Sequence, residues 1–274
     1  MFQYIEKKYN IIPLYNGRLN HNVTICKHKS DSNQRFCVKT KSLSNKTLLQ
    51  KEIDILSSIE HPNIIKIKEW SIHPFLFYIV PYYPKGDLFD FIIKIKDDYD
   101  MITTLFQKIV SVVDDLHSTY KLIHRDIKPE NILLTHNYEP IIIDFEYAIQ
   151  INNPVMITIC GSPEYISPEM IMGDTYDHRT DYWSLGILLY VMIFKTYPIG
   201  NSNCSFKDMK QLFLQKPFCF VLHKMIPDHL KQILESLLQI NPVHRQTLKK
   251  IKKICNNKCI ASQLHSTKKK IHFT

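Results

Sequence analysis

A chain of 274 residues, 45% apolar and 22% charged, holds enough apolar material for one sizeable core or two small lobes sharing a cleft. Its longest apolar run, 185–194, is about half of what a membrane span needs, and its start lacks the basic-then-apolar order of a signal peptide. The net charge of +9 sits at one end: from Lys249 to Thr274 there are eight lysines and no acid, which leaves 27 basic against 26 acidic groups elsewhere.

In chain order, the first third predicts strands around one helix. Phe36-Cys37-Val38 and the stretch 75–80 are short runs rich in aromatic and β-branched residues. Leu48, Leu49, Ile53, Leu56 and Ile59 recur at helical spacing, and His61-Pro62 stops that helix. After Gly86 the pattern turns helical, with helices predicted over 87–95, 102–117, 180–194, 206–214 and 228–240. Two short β segments, 132–134 and 141–143, interrupt this series. The seven cysteines are scattered and form no CxxC pair, which predicts reduced thiols and a cytoplasmic or nuclear protein. Cys255 and Cys259 with His265 form a conceivable metal set, but the same spacing places the two thiols on one helix face.

The most chemically loaded stretch is His124-Arg125-Asp126-Ile127-Lys128-Pro129-Glu130-Asn131, between the apolar runs Leu122-Ile123 and Ile132-Leu133-Leu134. An Asp, a Lys and an Asn so close together suit phosphoryl transfer: a carboxylate orients a hydroxyl, an ammonium holds phosphate, and an amide oxygen binds a metal. A charged surface turn between two strands is the plainer alternative.

This run resembles the H-R-D-x-K-x-x-N catalytic loop of eukaryotic-type serine/threonine protein kinases. The resemblance extends over about residues 10–250, with the motifs in the family's order. It implies an α+β, bilobal kinase fold: a small β-rich N-lobe with one main helix (1–81), a larger, mostly helical C-lobe (82–250) and a basic tail (251–274). It further implies ATP and Mg²⁺ as cofactors and proteins as substrates.

Residue by residue, the resemblance assigns Asp126 as the catalytic base and Lys128 to the γ-phosphate. Asn131 and Asp144 would hold the metal ions, and Lys39 the α- and β-phosphates while paired with Glu52. Pro81 would offer its carbonyl to adenine and Tyr83 its N–H, with Val80 as gatekeeper and Val23, Cys37 and Leu133 sandwiching the ring. Asp87 and Glu130 fall where basophilic kinases bind an arginine upstream of the target, and Asp87 also where the ribose is held. Val191 replaces a further acid on the central helix, so one upstream basic residue is expected rather than two. Thr158 matches the activating phosphorylation site of the cyclic-AMP-dependent and calcium/calmodulin-dependent groups, where a phosphate would pair with Arg125. Glu169–Arg245 and Asp181 match structural residues of the large lobe. Lys128 and Ser162 follow the serine/threonine pattern rather than the tyrosine one.

Pro81 is a tolerable departure from the family, since proline keeps the carbonyl, and two others matter more. The glycine-rich loop, Tyr15 to Val23, keeps only Gly17. Asp144-Phe145-Glu146 stands where the family has D-F-G, adding a charge near the metals. These losses support a rival reading, a pseudokinase scaffold or weak nucleotide binder acting through protein partners. The lysine-rich end offers a surface to nucleic acid, an acidic partner or the nuclear import machinery. The Ile-, Lys- and Asn-rich composition and compact length resemble the serine/threonine kinases of large DNA viruses, baculoviral ones among them, which would place the protein in a host cell.

Overall fold

The computed structural model describes residues 5–12, 23–40, 46–72, 76–151, 157–215 and 218–257. Gly17 and most of the glycine-poor loop, Phe75, and the lysine-rich end beyond residue 257 lie outside them. Five strands form an antiparallel sheet: β1 (Tyr9–Ile12), β2 (Val23–His28), β3 (Asp31–Thr40), β4 (Glu69–Ser71) and β5 (Phe77–Pro81), in the order β1-β2-β3-β5-β4. The helix α1 (Lys46–Ser57) lies between β3 and β4 in the chain.

Strand period and register together divide this sheet into two faces. Lys39 pairs with Val23 on one side and Tyr78 on the other, and Cys37 pairs with Ile25 and Val80. All six therefore share the face above the cleft. Cys26, Phe36, Val38, Phe77 and Ile79 take the opposite face, where they close a small core with Ile5 and Tyr9. The α1 residues Leu49, Ile53 and Leu56 join the main core, which runs on into the helical lobe.

That lobe contains α2 (Leu88–Lys94), α3 (Tyr99–Ser118), α4 (Pro168–Met172), α5 (Arg179–Phe194), α6 (Phe206–Gln215) and α7 (Asp228–Leu237). It also holds two short hairpin-like pairs, β7 (Ile132–Leu134) with β8 (Pro140–Ile142), and β6 (Leu122–Ile123) with β9 (Ile149–Gln150). Asp87 and Asp98 cap α2 and α3, each accepting from a backbone N–H three residues on. The helix α5 is buried almost all round, as its unbroken apolar run requires. No helix among the described residues is long and apolar enough to cross a membrane. A last helix, α8 (248–257), buries Leu248, Ile251 and Cys255, so the first residues of the lysine-rich stretch dock on the lobe.

The predicted helix over 228–240 ends at Leu237 instead. The carbonyls that would carry it on are diverted: Glu235 O accepts Gln239 Nε2 at 2.6 Å and Ser236 O accepts Gln246 N–H at 3.0 Å, while Arg245 takes Gln239 O and Ile240 O beyond them. The predicted strand over 141–143 runs from Pro140 to Ile142, and the Ile143 N–H closes its ladder with β7 by donating to Asn131 O at 3.0 Å.

Candidate active site

The catalytic loop lies between β6 and β7, and a buried aspartate holds it from beneath. Asp181, at the start of α5, accepts His124 N–H through Oδ2 and Arg125 N–H through Oδ1, both at 2.9 Å. Burial alone would raise the Asp181 pKa, but the His117 ring at 2.8 Å and the loop amides hold it below its ordinary value. Arg125 adopts φ +67°, a turn that the two bonds to Asp181 stabilise. The His124 ring meets Phe145 edge-on at 4.9 Å.

Three donors converge on the Asp126 carboxylate: Ser162 N–H at 2.9 Å, Asn131 Nδ2 at 2.8 Å and Lys128 Nζ at 3.0 Å. Asn131 Nδ2 also donates to Asp126 O, so its amide oxygen is the atom left for a cation. Lys128 Nζ additionally donates to Ser162 Oγ at 2.6 Å. The segment 157–165, which carries Thr158 and resembles the end of the family's activation segment, thus touches the loop directly, and Gly161 permits it. At φ +90° a Cβ there would lie 2.5 Å from Arg125 O.

Across the cleft, Lys39 Nζ donates to Glu52 Oε1 at 3.1 Å and Asp144 Oδ1 at 2.7 Å. Burial opposes the Lys39 ammonium, yet its acidic neighbours Tyr78, Glu52 and Asp144 set its pKa well above the ordinary range. Burial pushes Tyr78 far up as well, so it remains a neutral hydroxyl and the attraction comes from the two carboxylates. That hydroxyl donates to Glu52 Oε1 at 2.9 Å. Tyr78 is a site residue that the sequence reading missed. Its signal was the strand pairing that sets it opposite Lys39, and pairing is not visible in one strand alone.

Asp144 sits at φ +66°, whereas Glu146 is absent from the positive-φ residues. The residue in the family's glycine position therefore needs no left-handed backbone here, and a glutamate fits without strain. Cys37 is half-buried beside Val80, and burial pushes its thiol up to about 12, so it presents a neutral, apolar surface. Leu133 bridges to Asp87 from below. Pro81 ends β5 with its carbonyl, the group adenine would need; Tyr83 O is taken by Gly86 N–H at 3.1 Å. Asp87 commits Oδ1 to the cap of α2 through Asp90 N–H at 2.9 Å. Nearby, burial, with the charges of Asp87 and Asp126, raises the Glu130 carboxyl against the opposing charge of Lys128. Val23 lies at the outer end of the cleft face, while Gly17 remains outside the described residues.

In the large lobe, Arg245 reaches Glu169 through two bonds of 2.6 and 2.7 Å. The structure therefore brings together Lys39, Glu52, Asp126, Lys128, Asn131 and Asp144 around one cleft, and the oxygen donors Asn131 and Asp144 suit a hard divalent cation. Tyr176 and Gly161, which the sequence reading did not single out as site residues, join the activation segment to this cleft.

With this geometry in place, comparison with known proteins identifies the class: residues 20–258 match the protein kinase domain, and the chain belongs to that family. It is 33% identical over 223 residues to the SNF1-related protein kinase catalytic subunit alpha KIN12 of Arabidopsis thaliana, an alignment covering 78% of this chain and 43% of that protein. It is 29% identical over 266 residues to the serine/threonine-protein kinase DCLK3 of Mus musculus, covering 90% of this chain and 32% of that one. A probable serine/threonine-protein kinase of Dictyostelium discoideum is 31% identical over 225 residues, covering 80% of this chain and 26% of its own. The chain thus spans between 26% and 43% of the length of these relatives.

Proposed function

We propose that this chain transfers the γ-phosphate of ATP, with Mg²⁺, to serine and threonine hydroxyls of proteins. The observation that carries the reading is the convergence of Ser162 N–H, Asn131 and Lys128 on the Asp126 carboxylate, in one cleft with the Lys39–Glu52–Asp144 set. In this reading Asp126 orients the substrate hydroxyl and accepts its proton, while Lys128 steadies the transferring phosphate. Lys39 holds the α- and β-phosphates, and Glu52 and Tyr78 keep Lys39 in place. Magnesium, held by Asn131 and Asp144, would neutralise charge on the phosphates. The adenine would lie between Val23 and Cys37 above and Leu133 below, reading the Pro81 carbonyl and the Tyr83 N–H.

Two features support serine/threonine specificity: the Lys128–Ser162 bond beside Asp126, and relatives whose names carry that specificity. The run Thr158 to Tyr165 supports kinship with the cyclic-AMP-dependent and calcium/calmodulin-dependent groups, and composition supports an origin in a large DNA virus. Asp87 and Glu130 favour substrates with one basic residue upstream of the target. The lysine-rich end adds a surface for an acidic partner or nucleic acid, in cytoplasm or nucleus.

The test is phosphorylation of a peptide library with Mg-ATP by wild type and Asp126→Asn. Activity that vanishes in the variant supports the enzyme. Equal background in both would leave the rival, a pseudokinase scaffold or weak nucleotide binder, which the loss of loop glycines and Glu146 favour.

A further inference from the structure

The Arg125 side chain forms no ion pair with a carboxylate among the described residues. Its Nε donates to Tyr147 O at 2.7 Å and its Nη1 to the Tyr176 hydroxyl at 2.7 Å. That hydroxyl donates in turn to Thr158 O at 2.8 Å. One phenol therefore accepts from the catalytic loop and donates to the activation segment. A hydroxyl that accepts from a cation is polarised, and its own donation strengthens. Tyr176 is buried with Cys160, Ile166 and Met170, so packing fixes its ring. The group it holds is the Thr158 backbone carbonyl, while Thr158 as a residue is exposed.

Three residues further on, the segment meets the loop again. Gly161 approaches Arg125 O, and Ser162 N–H reaches the Asp126 carboxylate. Seating Thr158 thus sets the register in which Ser162 meets Asp126. We propose that Tyr176 is a positioning residue: its hydroxyl docks residues 157–162 on the catalytic loop, and docking needs no phosphate on Thr158. The proposal rests on the kinase reading and assigns how its activation segment is held.

The experiment compares the phosphatase-treated full chain with Tyr176→Phe, which keeps the packed ring, and Thr158→Ala. Steady-state kinetics and hydrogen exchange at the Ser162 amide are read on each. Dephosphorylated wild type and Thr158→Ala should agree in kcat within about threefold. Tyr176→Phe should lose about tenfold or more in kcat, with KM for ATP within about twofold, and lose protection at Ser162. Two results overturn the proposal: wild type that is active and protected only when phosphorylated, or Tyr176→Phe matching wild type in kcat and protection. Should no form phosphorylate any peptide, the kinase reading fails, while exchange at Ser162 still decides whether Tyr176 docks the segment.

Discussion

The two walls of the cleft are built by different means. The lower wall, the catalytic loop, is fixed by backbone amides and buried polar side chains: Asp181 beneath it, Asn131 across it and Ser162 beside it. The upper wall has one comparable anchor, the Lys39–Glu52–Asp144–Tyr78 cluster. Elsewhere it offers generic surfaces, such as the neutral Cys37 thiol and a carbonyl on Pro81 that any residue could supply. In-line phosphoryl transfer depends on sub-ångström placement of a hydroxyl, whereas covering an adenine ring requires apolar area and a few backbone groups. The lower wall keeps the whole of its catalytic-loop motif, whereas Pro81, Glu146 and the single loop glycine depart from the family at positions that the resemblance assigns to nucleotide.

Substitutions can break this contrast. The largest effect is expected from Asp126→Asn, a fall of about 10²–10⁴ in kcat with little change in KM for ATP, measured by steady-state kinetics. Next is Glu169→Ala, which strands the Arg245 guanidinium in the large lobe. It should cost about 3–5 kcal/mol in chemical denaturation, and its effect on activity should follow unfolding. Tyr78→Phe probes the upper wall. Losing one bond to the buried Glu52 carboxylate should cost about 1–3 kcal/mol of stability and raise KM for ATP, read by calorimetry and kinetics. The smallest effect is expected from Glu146→Gly. Since Glu146 needs no positive φ, activity should stay within about tenfold, or roughly 1.4 kcal/mol in barrier. A gain of several hundredfold there would mean that Glu146 is inhibitory.

Much of the lower wall was legible because its parts are local. Asp126, Lys128 and Asn131 lie within six residues, and a buried helix after Thr180 announces itself by an unbroken apolar run. Lys39 and Glu52 were paired through the family resemblance, since neither residue's own surroundings in the sequence point to the other. The strand β2 was harder: Thr24, Lys27 and His28 interrupt its apolar residues, and only the register with β3 shows which face each takes. Tyr78 and Tyr176 were hidden for a related reason. Tyr78 reads as one more aromatic in an apolar stretch and Tyr176 as a lone aromatic among polar residues, until a partner 26 or 51 residues away converges on the hydroxyl. Helix ends were legible only to within a turn, since the Gln246 N–H and the Ser58 hydroxyl take up Ser236 O and Ile55 O, carbonyls that periodicity alone would leave in the helix.

Arg245 also bears on how the chain is made. Its guanidinium gathers Glu169, Arg179 O, Gln239 O and Ile240 O. On the ribosome, where the N-terminal part of a chain emerges first, every residue of the cleft leaves the exit tunnel before Arg245 does. Until then Glu169 is a carboxylate without its guanidinium, and burying it is unfavourable. The cleft residues are thus synthesised early and clamped late, and a nascent chain lacking Arg245 should be open to proteases at α4 even with its cleft sequence complete.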